Sequence, residues 1–237
     1  HRARGAHDDA RLALHDALAR LPSGAVRADV LLFLGFTHFD IGDFQVAQGW
    51  FVHARKAYEM EGVWHGVGAV EDALGGLARQ RGDLAHAEAC HLRALELQTN
   101  AVDRAVTICN IGVLRATQGR FADAVEALLE AHAVFHRARF SRMERFMNGV
   151  LLWPLAELGR WHAFDLHAEL AAPLLGGEDI DFDVASALVY AAEALVRSAH
   201  LVRARYVASL AHVQLERIVD DDLAARLAKV QTTLESL

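Results

Sequence analysis

Apolar residues return every three to four positions along nearly the whole chain, as in Leu31, Leu34 and Ile41 with His38 on the same line, or Ile108, Ile111 and Leu114 beside Arg115. That spacing puts them on one face of a helix. No strict apolar–polar alternation of the kind a half-buried strand shows stands out between turn residues. Glycines at 42, 82, 119 and 159 punctuate the runs, each suited to closing a helix in the left-handed conformation. The pattern predicts helices near 6–20, 25–41, 44–60, 64–80, 84–97, 101–118, 121–138, 142–158, 161–174, 182–198, 201–218 and 221–236. Asp43 and Asp83 are expected as N-caps, Asn100 with Asp103 suits a further start, and SRME at 141–144 has the form of a capping box.

The glycines belong to a longer repeat. GDFQVAQGWFVHA at 42 returns as GDLAHAEACHLRA at 82, GRFADAVEALLEA at 119 and GRWHAFDLHAELA at 159, with a weaker copy, AHLVRARYVASLA, at 199, so the steps are 40, 37, 40 and 40 residues. GAHDDARLALHDA at 5 fits the same frame through Gly5, Ala10, Leu14 and Ala17, with Pro22 ending the segment. Seven or eight residues before each leading position stands a second pair: Leu34-Gly35, Leu74-Gly75, Ile111-Gly112, Leu151-Leu152 and Ala191-Ala192. Each unit therefore holds two helices. Antiparallel helices that pack about 8–10 Å apart tolerate no bulky side chain on their contact line. Gly35 on the first helix and Ala47 with Ala54 on the second are expected there, with Phe44 and Phe51 filling the space between neighbouring units. A lone hairpin cannot bury so much apolar surface, and stacking each on the next makes a solenoid stabilised by nearest-neighbour interfaces.

Through Leu34, Gly35, Gly42, Phe44, Ala47, Phe51 and Ala54 the pattern resembles the tetratricopeptide repeat, a helix–turn–helix unit of about 34 residues. The longer steps are similar to those of repeat arrays in bacterial peptide-sensing regulators, large transcription activators and kinesin light chains. The resemblance covers nearly the whole chain. It implies an all-α fold, an α-α superhelix formed as a single solenoid over 1–237: a half repeat at 1–22, repeats near 25–60, 64–97, 101–138, 142–175 and 182–218, and a closing helix at 220–237. The opening half repeat is read as belonging to a longer protein. The copy at 142–175 departs from the pattern, with Leu152 for glycine, Phe164 for alanine, and prolines at 154 and 173, so a bend is expected near Trp153 and Pro154. LLGGEDIDFD at 174–183 is the candidate for a long connection.

Charge narrows the partners. With 24 Lys and Arg against 31 Asp and Glu, the net charge of −7 gives no default attraction to nucleic acid or to an anionic membrane. No apolar run approaches the roughly 20 residues needed to span a bilayer. Cys90 and Cys109 are too few and too far apart for a disulfide framework or a CxxC site, which fits a reducing, cytoplasmic setting. Among 14 histidines, His132 and His136 share a helix face at i, i+4, but no third ligand and no HExxH accompany them, so they read as packing or solvated residues. GVGAVEDALGG at 66–76 lacks the lysine and preceding strand of a phosphate loop and reads as helix-packing glycines. No nucleophile elbow is present either. Neither an enzymatic activity nor a cofactor or metal is expected.

In the repeat class that the pattern resembles, the first helix of each pair lines a groove. The tentative ligand-binding residues by that placement are Phe36, Asp72, Arg79, Asn110, Val113, Trp153 and Glu193, a mixed lining of apolar anchors and polar groups. The resemblance implies that an asparagine at the position of Asn110 contacts peptide backbone; the lysine-rich clamp for acidic peptide ends is missing. Equally, Phe36 and Trp153 can pack between helices as core. The function these observations favour is non-catalytic binding of a protein or peptide segment, as a scaffold or sensor in a larger cytoplasmic regulator. The alternative is a self-association or effector-switch domain that controls an attached DNA-binding or catalytic unit.

Overall fold

The computed structural model describes residues 2–176 and 180–236. Residues 1, 177–179 and 237, which the expected half repeat, long connection and closing helix include, lie outside them. Twelve α-helices run along the described chain: α1 (Arg2–Arg20), α2 (Ala25–Asp40), α3 (Phe44–Glu61), α4 (Trp64–Gln80), α5 (Leu84–Leu97), α6 (Ala101–Thr117), α7 (Phe121–Arg137), α8 (Ser141–Glu157), α9 (Trp161–Leu170), α10 (Phe182–Arg197), α11 (Leu201–Leu215) and α12 (Asp221–Glu235). No strand occurs among the described residues, and none of the helices is long and apolar enough to cross a membrane. The chain divides into two compact units, 1–114 and 115–237.

The glycines close first helices as the pattern requires. Gly42 has φ 79°, its N–H bonds to Phe39 O, and the Asp43 N–H reaches back to His38 O, a Schellman arrangement. The same pair of bonds recurs at Gly82, Gly119 and Gly159. Arg139 and Ala199 take the conformation with a side chain, at φ 54° and 59°. At the N-termini, Asp83 accepts from the His86 N–H and Asn100 from the Val102 N–H. Asp43 makes no such bond; its carboxylate lies 3.5 Å from His38 Nδ1. The expected capping box is also absent. Phe140 occupies the cap, where the Schellman turn after α7 ends, so Ser141 is already helical and Glu144 turns to His136 at 3.2 Å.

A further difference follows from proline. α9 ends at Leu170, short of the expected 174, and Ala172–Gly176 form a 3₁₀ turn around Pro173. The ring of Pro173 disfavours an α-helical residue before it and supplies no N–H. By contrast α8 continues through Pro154, whose carbonyl accepts from the Leu158 N–H at 3.1 Å.

In the first unit the core is Ala28, Leu31, Ala47, Phe51, Ala54, Tyr58, Val67, Val70 and Leu77, with Ala78, Ala87 and Leu114 in a second cluster. Each fully buried Phe or Leu contributes about 1.5–3 kcal/mol. Phe51 belongs to this core, which α4 shares. Its ring lies across Gly35 inside its own hairpin, where a Cβ on residue 35 would overlap it. Phe44 packs on Phe39 of the same hairpin, with ring centroids 5.5 Å apart. His91 repeats the arrangement in the next hairpin, 2.6 Å from where a Cβ on Gly75 would be. In the second unit Leu151, Leu152, Leu155, Phe164, Leu188, Leu195, Val207 and Leu210 are buried. There Leu152 replaces the glycine, and the residue 16 positions on, in the register of Phe51, shrinks to Ala168. The pair keeps its volume while exchanging which helix supplies it.

Candidate functional site

In the first unit one face of α2 carries Val26, Asp29, Phe33, Phe36 and Asp40, at steps of three and four residues, so they form a single stripe. All five are exposed, Val26 at 60%, Phe33 at 56% and Phe36 at 37%. Phe36 is tied to the core edge-on to Phe51, with centroids 5.3 Å apart, so it is anchored and still presents a face to solvent. Asp29 accepts from the Tyr58 hydroxyl at 2.5 Å. Burial, then that bond, then the aspartate charge push the Tyr58 pKa well above its ordinary value, so the phenol remains a neutral donor.

The predicted polar groups Asp72 and Asn110 do come together. Asp72 Oδ2 accepts from Asn110 Nδ2 at 2.8 Å, and Asp72 Oδ1 lies 2.7 Å from Nδ1 of the fully buried His91. Both oxygens of the carboxylate are thus engaged within the unit. Gly76, one turn on, faces open space, with no atom within 4 Å of a built Cβ. Arg79 and Val113 are half-buried.

The other two predicted residues, Trp153 and Glu193, lie in the second unit. Trp153 stacks at a tilt on Tyr190, 4.7 Å between centroids, and meets Phe121 edge-on at 5.6 Å. Its indole N–H donates to Glu157, which also accepts from Arg197 at 2.6 Å. One helix on, Arg226 lies 4.9 Å over the Tyr190 ring and donates to Glu193 at 3.2 Å. Each step is an aromatic ring and a carboxylate on one first helix held by an arginine of the next. Burial pushes the Tyr190 pKa up despite the nearby guanidinium. Sequence reasoning missed Tyr190 and Arg226. The signal was there: Tyr190 precedes Glu193 by three residues and Arg226 follows Asp222 by four, the spacings of a shared face.

Of the remaining chemistry-bearing residues, His167 and Cys90 are buried, His132 is half-buried and His136 is exposed. His132 and His136 stack with planes 4° apart, and His132 meets His167 edge-on at 5.9 Å. His167 Nδ1 lies 2.8 Å from Asn148 Oδ1. Among the described residues no three His, Cys, Asp or Glu side chains are placed to hold a metal ion. Cys90 lies buried beside Arg93, 3.1 Å from its guanidinium, yet burial outweighs that charge and raises the thiol pKa, which favours the protonated thiol. In the glycine-rich stretch, Gly66 faces the Tyr58 ring and Gly68 the Ala94 carbonyl.

No family model and no curated protein matches this chain. Among solved structures, that of pilF from Pseudomonas aeruginosa, from a functional characterization of that protein, matches it with a TM-score of 0.56. The match covers 98% of this chain and 90% of that one, at 19% identity. The fold is all-α and tetratricopeptide-like. At that identity the likeness is one of fold.

Proposed function

We propose that the chain is a non-catalytic protein-interaction scaffold that binds a peptide segment on its first-helix face, with the α2 stripe as the docking edge. One observation carries this reading: Phe33 and Phe36 stand exposed, side by side, on an ordered helix whose opposite face is fully packed. Aromatic side chains held rigid at a surface are the usual anchors of an interface, because they bury large area at small entropic cost. The tetratricopeptide-like fold supports it by analogy. The groups that sequence analysis placed beside Phe36 divide by role in this reading. Asp72 and Asn110 hold each other and keep α4 and α6 in register, and Gly76 leaves room for an approaching chain. A place in a larger cytoplasmic regulator is in keeping with two buried free thiols.

The test is to crosslink partners to the intact chain in its native cell and to repeat the capture with Phe33→Ser and Phe36→Ser combined. Selective loss of partners from a chain with an unaltered thermal midpoint is the expected result. Retention of every partner by the variant would sink the docking edge.

A further inference from the structure

We infer that Gly76 determines the specificity of the docking face: it opens a notch that takes one large apolar side chain of a partner peptide. The inference rests on the docking reading above and extends it from α2 to α4. Phe36, Gly76 and Val113 hold the same position in three successive first helices, each directly following a pair, Leu34-Gly35, Leu74-Gly75 and Ile111-Gly112. A row across the face therefore runs large, empty, medium. Phe36 is exposed and braced from behind by Phe51, and Val113 is half-buried.

The fold itself has no use for a glycine at 76. The other glycines of α2 and α4 stand where a neighbour lies close. A Cβ on Gly35 would overlap the Phe51 ring, on Gly66 the Tyr58 ring and on Gly75 the His91 ring, and on Gly68 it would come 3.1 Å from Gln98. At Gly76 no atom lies within 4 Å of that point, although the residue is inside α4. A glycine there destabilises the helix relative to alanine and gains no internal contact. What it leaves is bare main chain between two apolar walls, with neighbouring helix axes about 8–10 Å apart. The polar groups one turn before it are engaged with each other, since Asp72 meets Asn110 through one oxygen and His91 through the other. A Phe, Trp, Leu or Met side chain entering the gap meets the flank of Phe36 and the α4 backbone, whereas a segment of small side chains leaves the gap unfilled. Two copies of a chain with net charge −7 repel each other, so the occupant is a segment of another protein.

The experiment is an unbiased selection. A display library of random twelve-residue peptides is panned on the intact chain and counter-selected on the Phe33→Ser and Phe36→Ser double variant. The recovered peptides are then titrated against wild type, Gly76→Ala, Gly76→Leu and Gly49→Ala. Gly49 is the control, a glycine inside α3 that also has no atom within 4 Å but belongs to a second helix. The peptides are expected to share one large apolar residue, to bind Gly76→Leu about tenfold more weakly than wild type, and to bind Gly49→Ala unchanged. Alanine at the shared position should weaken binding to wild type and leave binding to Gly76→Leu almost unaltered, which puts that side chain at residue 76. The urea midpoints of Gly76→Ala and Gly49→Ala should both rise. A fall for Gly76→Ala would mean that the fold needs this glycine and would overturn the notch. Peptides that the phenylalanine variant rejects and Gly76→Leu binds as wild type does would also overturn it and leave the docking reading standing. A wild-type mass that grows with concentration and returns to monomer in Gly76→Leu would make the occupant a second copy and overturn the partner peptide. Recovery of no peptide that the phenylalanine variant rejects would overturn both readings.

Discussion

At the scale of single residues, the hairpins turn on one exchange of volume. The glycine of each Leu-Gly pair is the floor on which a residue 16 positions later lies flat, Phe51 on Gly35 and His91 on Gly75. Adding a methyl group at residue 35 must push the Phe51 ring off its seat, and overpacking of this kind costs about 1–3 kcal/mol. Gly35→Ala is therefore expected to lower the urea midpoint. Phe51→Ala alone empties a fully buried site and costs about 3–5 kcal/mol. Combined, the two should cost less than their sum, because the new methyl enters the space the ring has left. Strict additivity in that cycle would show that the two do not share a site. A second residue-scale expectation concerns Asp72, which takes one hydrogen bond on each oxygen. Asp72→Leu leaves the buried His91 and Asn110 without their acceptor and should cost about 1–3 kcal/mol, while Asp72→Asn should cost less because one acceptor survives. The small residues were legible in the sequence since they recur in register. Which large residue met which glycine was not, because that depends on where two helix axes cross.

Helices as elements were legible almost to their ends, because many boundaries had local chemistry behind them: a left-handed glycine, an Asp or Asn cap, a change of face. The misses lie where tertiary partners or proline outrank a local motif. Glu144 leaves its expected capping box because His136, on the preceding helix, draws it away. That neighbourhood also carries a pH dependence. His132 of α7 is held below the ordinary imidazole value of 6.5 by burial, with Glu144 raising it and His136 lowering it. His167 of α9 is held below 6.5 by burial and then by His132. An imidazole with a depressed folded-state pKa binds its proton more readily in the unfolded chain, so protons favour unfolding. Stability should be full above pH 6.5 and should decline as pH falls through that value. Urea unfolding at about pH 7.5 and about pH 5.5 measures the loss, and His132→Asn should shrink it by removing one of the two sites. An undiminished loss in that variant would place the titrating group elsewhere.

For the whole molecule, the repeat frame and the division into units are separate facts. The glycine register passes from Gly82 to Gly119 with a step only three residues short of the others, so nothing in the pattern marks a boundary near 114. The candidate site was legible only in part for the same reason. Periodicity placed these residues on the first helices, but it could not say that Asp72 and Asn110 would satisfy each other, that Trp153 would donate to a Glu157 paired with Arg197, or that Arg226 would reach Glu193. In a protein built from nearest-neighbour interfaces, stability is close to a sum of local terms, and damage spreads mainly through elements in direct contact. Leu188 is fully buried on α10, which packs against α8, α11 and α12. Leu188→Ala should cost about 2–5 kcal/mol in that core. Native-state hydrogen exchange should then show protection lost across α8 and α10–α12, with the amides of α2–α5 keeping theirs. Equal loss in both sets would mean that the chain unfolds as one cooperative body, and the separate cores would then have to be counted as a single folding unit.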